Sequence, residues 1–467
     1  MSKEKDTIQP STFVEQHLPA VLEFGSYTLV HPALDFKKET AYVGIALPDR
    51  GFRGTRILRP YLVTEAEMFE MTVEELGKHR IELVHRDLPS DTSRWSVEGI
   101  KRFLKEKENI EPEKLYKSIK GVFLEYVDFQ DPRHYDLVTL WNIGTYFFPL
   151  FEAYPYLHVN GMADTGKTRL LIVCQHIAFN AVLGGSFSAA SLFRKIQSSR
   201  CTVLIDENEE LADPLRSQEF RRLLLNGYKK GSKVIRCNMT TPSFTPESYE
   251  VYSPKILASI APLDNVLGSR CISILSQPTS KKEIAGRVVK QDSPRWQEIL
   301  DMLYPFLFRK WTTIQQSYDE LKNETDLANR DWEIWRPILA LARVFSGDIC
   351  RGMLQLALEK AEERKSEQGF TPEAELGEAL LCIVDKDDFY RLKMIKEYIE
   401  EEYRYRAPSW LTEKYIGSML RKFGFSKPER DSKGFRYYLT VSKVREIAMR
   451  LGIDDEHSER SVGPTEG

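Results

Sequence analysis

Residues 157–171, Leu157-His158-Val159-Asn160-Gly161-Met162-Ala163-Asp164-Thr165-Gly166-Lys167-Thr168-Arg169-Leu170-Leu171, decide the reading of this chain. A short apolar run ends at Asn160. Gly161 to Thr168 then fit the phosphate-loop pattern GxxxxGK[ST] at every fixed position. Leu170, Leu171 and Val173 continue at helical spacing. The residue types suit the chemistry. Glycines let backbone N–H groups curl around phosphate oxygens with no Cβ in the way. The following helix turns its positive end to the same anion. Lys167 reaches the terminal phosphates, and the Thr168 hydroxyl sits on Mg²⁺. The plainer reading is a glycine-rich turn before a surface helix, but the strand and helix the pattern requires flank it. Gly161, Asp164, Thr165, Gly166, Lys167 and Thr168 are therefore the candidate nucleotide-binding residues.

A second motif lies downstream. CTVLIDE, residues 201–207, is an apolar strand ending in two carboxylates. A buried parallel strand would deliver them to the carboxyl edge of a sheet, beside the loop. Asp206 would hold Mg²⁺ through water, and Glu207 would act as general base toward the attacking water. Alone such a strand end is often solvated; behind a full phosphate loop it points to ATP or GTP hydrolysis. KILASIA, residues 255–261, is a further buried strand expected between the two motif strands, with Ser259 near the terminal phosphate. Arg270, just before the apolar strand CISI, stands where one subunit offers an arginine finger to the next; a local cap or ion pair is the other reading.

Composition sets the bounds. The chain has 467 residues, 42% hydrophobic and 29% charged, enough for two to four domains with real cores. No apolar run reaches bilayer length, and the polar start MSKEKDTIQPS has no secretory h-region. The six cysteines are scattered without a CxxC pair, so they read as reduced thiols of a cytoplasmic protein. A net charge of −3 means that any nucleic-acid binding must come from local basic patches.

Five segments follow. Residues 1–95 are a mixed α+β domain with strands near 41–47, 61–63 and 81–84 and an acidic helix near 66–77. Residues 96–280 hold the ATPase core, including an apolar helix over 136–151 that is expected to be buried. Residues 281–385 form a helical lid, from which Arg330 or Arg336 could reach a nucleotide phosphate. Residues 386–453 show helices at 390–403 and 412–423 followed by a basic hairpin and a last helix, a winged-helix order. Arg421, Lys422 and Arg436 are placed there to grip DNA, though such modules also bind proteins. Residues 454–467 are polar and expected to be disordered. Within the core, KKGSKVIR at 229–236 suggests a hairpin with a basic tip, with Lys229, Lys230, Lys233 and Arg236 as DNA-contact candidates and a returning strand at 249–252; a solvated turn is the alternative.

GMADTGKT, LIDENEE, LNGYKKGSKVIRC, PKILASIAP, LGSRCISI and RDWEIWRPILALA occur in an order that resembles AAA+ ATPases, in particular the minichromosome-maintenance-like helicases of plasmids, viruses and integrated elements. The likeness covers residues 135–350 well, the C-terminal domain plausibly and residues 1–95 poorly. It implies an α/β fold, a P-loop αβα sandwich with a helical lid, and ATP·Mg²⁺ hydrolysed between subunits of a ring, a hexamer in these helicases. It places Ser259 at sensor one, Arg270 at the finger and Arg330 or Arg336 near sensor two. It puts Lys229 and Lys230 on a pore hairpin touching DNA, with residues 241–246 as the alternative tip. The function so implied is a DNA-translocating replicative helicase of a mobile element; the alternatives are an ATP-controlled DNA-binding initiator without unwinding activity, or a remodeller of polypeptides.

Overall fold

The computed structural model describes residues 27–50, 56–88, 94–107, 109–206, 218–237, 246–323, 325, 327, 329–369, 372–402, 411–426, 428–432, 434–451 and 453. The chain divides into two compact units, Met1–Ala357 and Leu358–Gly467.

The first unit is built on a five-stranded parallel sheet. Its strands in chain order are β1 (Tyr156–Asn160), β2 (Val182–Gly184), β3 (Val203–Ile205), β4 (Lys255–Ser259) and β5 (Cys271–Leu275). Across the sheet they run β5-β1-β4-β3-β2, so β4 lies between the two motif strands as its sequence suggested. β1, β3 and β4 are buried at successive positions, which means that both faces of the sheet are covered. The register pairs Ser259 and Leu275 with Asn160, and Ile205 with Leu257. All strand ends therefore meet at one carboxyl edge.

The apolar helix spans Arg133–Gly144, shorter than expected, because the chain turns into a 3₁₀ segment, Phe148–Leu150, opened by a proline-containing turn. It is buried on every side, as a uniformly apolar helix must be. Trp141 donates Nε1–H to Pro155 O at 2.8 Å, tying this helix to the entry of β1.

Ahead of it, a four-stranded antiparallel sheet runs in sequence order through Leu34–Lys37, Thr40–Arg50, Arg56–Val63 and Met68–Glu70. The expected acidic helix is confined to Val73–Lys78, capped by Thr72; its first part is the edge strand Met68–Glu70 instead. This region docks on the five-stranded sheet domain through two histidines. His31 Nε2 and His85 Nε2 both bond Gln197 O, at 2.8 and 2.7 Å. His31 Nδ1 accepts from Ala33 N, so its Nε2 carries the proton.

After β5 the chain forms two long helices, Pro294–Glu320 and Asn329–Phe345, which pack on each other. The second unit holds a three-stranded antiparallel sheet with Gly434–Leu439 between Asp388–Arg391 and Glu429–Asp431. Around it lie helices Leu392–Glu402, Glu413–Lys422 and Val441–Leu451. The first of these starts later than expected, because residues 388–391 are strand. Helix Pro372–Ile383, read above as part of the 281–385 segment, packs in this core through Leu376 and Leu380. Gly424, at φ 82°, ends the helix that precedes the hairpin. No helix among the described residues is long and apolar enough to cross a membrane.

Candidate nucleotide site

β1 leads into the loop, and the loop into helix Lys167–Ile177. Two positive-φ positions make the curl: Asp164 at 61° and Gly166 at 91°. Gly161 serves a different need, since a Cβ there would lie 2.3 Å from Ser276 O. The chain after β5 thus runs against the loop, and Ser276 fixes it with two bonds: its N donates to Asn160 O at 2.7 Å and its Oγ to Thr165 O at 2.9 Å. Lys167 is 4% exposed, and its Nζ donates to the loop's own Gly161 O and Met162 O at 2.7 and 2.6 Å. Thr168 stands exposed at the helix start.

A cleft of ≈ 710 Å³ opens on this loop, lined by residues 164–168 together with Arg169, Ile172, Arg287, Val289 and Gln291. The last three lie at the start of the segment read as a helical lid, where the sequence named only Arg330 and Arg336 as nucleotide contacts. Arg169 pins that segment over the loop helix through Ile284 O and through Ala285 O at 2.9 Å. Arg287 pairs with Glu125 at 3.3 Å. The signal was a glycine, an arginine and two valines, AGRVV, soon after a sheet strand.

Asp206 follows β3 at the same carboxyl edge, its N donating to Gly184 O at 3.1 Å. One strand separates it from the loop strand, a lateral distance of about 10 Å at the usual strand spacing. Its Oδ1 is buried with no hydrogen-bond partner. An orphaned carboxylate oxygen facing the same edge as an exposed threonine hydroxyl fits a hydrated divalent cation. Glu207 lies outside the described residues.

Ser259 also reaches this edge, but its hydroxyl is engaged within the chain. Its Oγ donates to Ala261 O at 2.7 Å and accepts from His158 Nε2 at 2.9 Å. Burial pulls the His158 pKa down to about 4, so the ring is neutral. Ser259 O accepts from Gly161 N at 3.3 Å, which makes β4 a support for the loop.

The other expected site residues stand at the opposite, amino edge. Arg270 precedes β5, and its carbonyl accepts from Tyr156 N at the start of β1. Its guanidinium bonds Leu225 O at 2.8 Å and packs on the Tyr228 ring at 5.2 Å. Burial, with the nearby Arg330 charge, lowers its pKa. Arg330 lies on the same ring at 5.2 Å; its Nε is 3.6 Å from Glu333, and its buried Nη1 has no hydrogen-bond partner. Arg336 caps the end of helix Pro294–Glu320 at Tyr318 O, 2.6 Å away. Neither Arg330 nor Arg336, the arginines expected to reach a nucleotide phosphate from a lid, lines the loop cleft of its own chain.

The hairpin forms between Lys233–Cys237 and Pro246–Glu250, three residues earlier on the return than expected. Residues 229–231 are its foot, not its tip: Lys229 bridges to Ala153 and its Nζ pairs with Glu333, while Lys230 N donates to Glu152 O at 2.8 Å. The alternative tip, residues 241–246, lies outside the described residues up to 245. Lys233 is exposed; Arg236 pairs with Glu219 at 3.0 Å. In the second unit Lys422 is exposed, Arg421 donates to the Tyr437 hydroxyl at 3.1 Å, and Arg436 pairs with Glu429 at 2.9 Å over the Phe389 ring.

A parallel sheet with a GxxxxGK[ST] loop between its strand and helix, and an acid from a second strand at the same edge, defines an α/β phosphate-loop fold. Among solved structures the chain is similar to the SCCmec type IV active helicase Cch, with 12% identity, a TM-score of 0.37, and 88% of this chain and 95% of that one covered. It is also similar to the JCV helicase, with 12% identity, TM-score 0.25, and 57% and 65% covered. C. elegans PCH-2 matches with 14% identity, TM-score 0.23, and 61% and 78% covered. No family model and no curated protein matches the chain. These likenesses are slight, and the fold class rests on the chain's own sheet and loop.

Proposed function

We propose that the chain is an AAA+-type ATPase that works on DNA as a ring, with a replicative helicase of a mobile element as its most specific form. The observation that carries the reading is the meeting of Lys167, Thr168 and the unpartnered Asp206 oxygen at one sheet edge. ATP would lie with its phosphates on residues 161–168 and its base against Ile172 and Val289. Mg²⁺ would be held by Thr168 and Asp206 and would neutralise charge on the transferred phosphoryl group. Glu207 would activate the water.

Arg270 sits more than a whole strand length, about 20 Å along the sheet, from the loop of its own chain. Service to a phosphate therefore requires a second copy, which supports a ring. Arg330 shares its ring contact, so we assign it to the same role as Arg270. The order strand, helix, helix, hairpin, helix supports a winged helix at 386–453 joined by helix Pro372–Ile383, which leaves residues 281–357 for the lid and residues 1–95 as the N-terminal part of the first unit. Lys233, Lys422 and the tip of the core hairpin would meet DNA.

The test is ATP turnover with and without forked DNA, followed by strand displacement. Turnover that rises with DNA, falls with salt and separates the strands supports the helicase. DNA binding with no separation of strands supports the initiator instead.

A further inference from the structure

Both feet of the core hairpin meet at one buried cation. Lys255 opens β4 and has none of its surface exposed. Its Nζ donates toward Gly227 O and Val251 O, each at 3.2 Å, and toward Ser253 O and Oγ, each at 3.0 Å. Gly227 ends the helix that leads into the hairpin; Val251 and Ser253 follow its return strand. Ser253 N donates to Gly227 O at 3.1 Å, which stitches the feet together. No side chain fits at 227, where a Cβ would lie 2.5 Å from Val251 O and 2.9 Å from Lys255 Nζ. The Tyr156 ring, from the first residue of β1, faces the ammonium at 4.9 Å.

All four partners of Nζ are oxygens, and the ammonium has three hydrogens to share among them, one more than the neutral amine. Burial works against the charged form, drawing the pKa down to about 7. An apolar side chain of similar length would fill the space at lower desolvation cost. Packing alone does not account for a lysine here.

The far end of β4 touches the phosphate loop, through Ser259 O and Gly161 N. β4 has five residues, is buried along its length and is paired on both sides. A strand so held shifts as one body, with a rise of about 13 Å from end to end.

We propose that Lys255 is a positioning residue that transmits the nucleotide state of the phosphate loop to the hairpin, by pinning both hairpin feet to the strand that supports Gly161. This rests on the nucleotide-binding reading above; Lys255 itself touches no nucleotide.

Hydrogen exchange on the full chain tests it, with and without the slowly hydrolysed analogue ATPγS and Mg²⁺. In the unmodified protein, nucleotide should change exchange of the strand amides at 233–237 and 247–250 by about tenfold. In Lys255→Met that change should vanish while helix Lys167–Ile177 still gains protection. Ser253→Ala, which keeps the ammonium and removes one acceptor, should show a reduced response. A Lys255→Met hairpin that responds like the unmodified one overturns the proposal. So does an unmodified hairpin that ignores nucleotide while the loop helix gains protection. If neither element responds, the nucleotide-binding reading falls and this one with it. Should Lys255→Met not fold, Ser253→Ala decides, and an unchanged response there is fatal.

Discussion

At the carboxyl edge of the central sheet, Asp206 keeps a buried oxygen without a hydrogen-bond partner and Thr168 stands exposed. At the amino edge, Arg270 and Lys229 are bound to groups of their own chain. One edge has polar capacity to spare, and a buried group in that condition costs free energy until something meets it. The other edge has placed its cations against an aromatic ring, a backbone carbonyl and the Glu333 carboxylate, with the unpartnered buried Nη1 of Arg330 as the exception. The difference separates two tasks. The first edge is shaped to receive a ligand. The second holds its charges in fixed positions against groups of its own chain.

The largest effect should come from the amino edge. Arg270→Ala should lower ATP turnover by about 10³ to 10⁵ while the nucleotide dissociation constant, read by fluorescent-nucleotide titration, stays within a few fold. A mutant that turns over normally would place the whole reaction at one edge and break the comparison. Lys167→Ala should do the reverse and weaken nucleotide binding itself, by about 2–5 kcal/mol in the same titration, because a buried charge-assisted contact is lost.

A smaller change sharpens the picture. Tyr228→Leu removes the ring that both arginines share, a contact of about 0.5–2 kcal/mol. Turnover should fall by about tenfold, with nucleotide affinity unchanged; a change in affinity instead would mean that the edges are not independent.

The smallest effect is on stability. His158 lies within the sheet between Ser273 and Ser259, with a pKa of about 4 in the fold against 6.5 in the unfolded chain. The fold therefore favours the neutral ring, and the unfolded state binds the extra proton between those values. Stability from this residue is complete above pH 6.5 and is lost as pH falls from 6.5 to about 4. His158→Gln should flatten that part of a melting-temperature profile against pH.

The phosphate loop, its strand and helix, the second motif strand and β4 between them were legible because each rests on local pattern: fixed glycines, helical spacing, or an unbroken apolar run. What failed depended on distant segments. Residues 229–231 look like a hairpin tip, yet Lys229 is drawn down by Glu333, more than a hundred positions away. Arg330 looks like a lid arginine, yet Tyr228 holds it at the other edge. The one hint around Arg287 is AGRVV, too short a pattern to announce that the chain after β5 folds back over the loop. Strand 388–391 was hidden for a different reason: it is four residues long, half acid and base, and pairs only with residues 436–439. Glu207 lies outside the described residues, so the second half of the acid pair stands on the sequence alone.

The loop lysine has one more consequence. Lys167 already has two good acceptors in Gly161 O and Met162 O. A phosphate arriving there competes for donors that are in use, so binding is an exchange of partners and its net yield is the difference between two sets of bonds. The same bonds brace the loop from within. A loop that has released a bound phosphate keeps a ready-made cradle, and the next phosphate to arrive need not rebuild it.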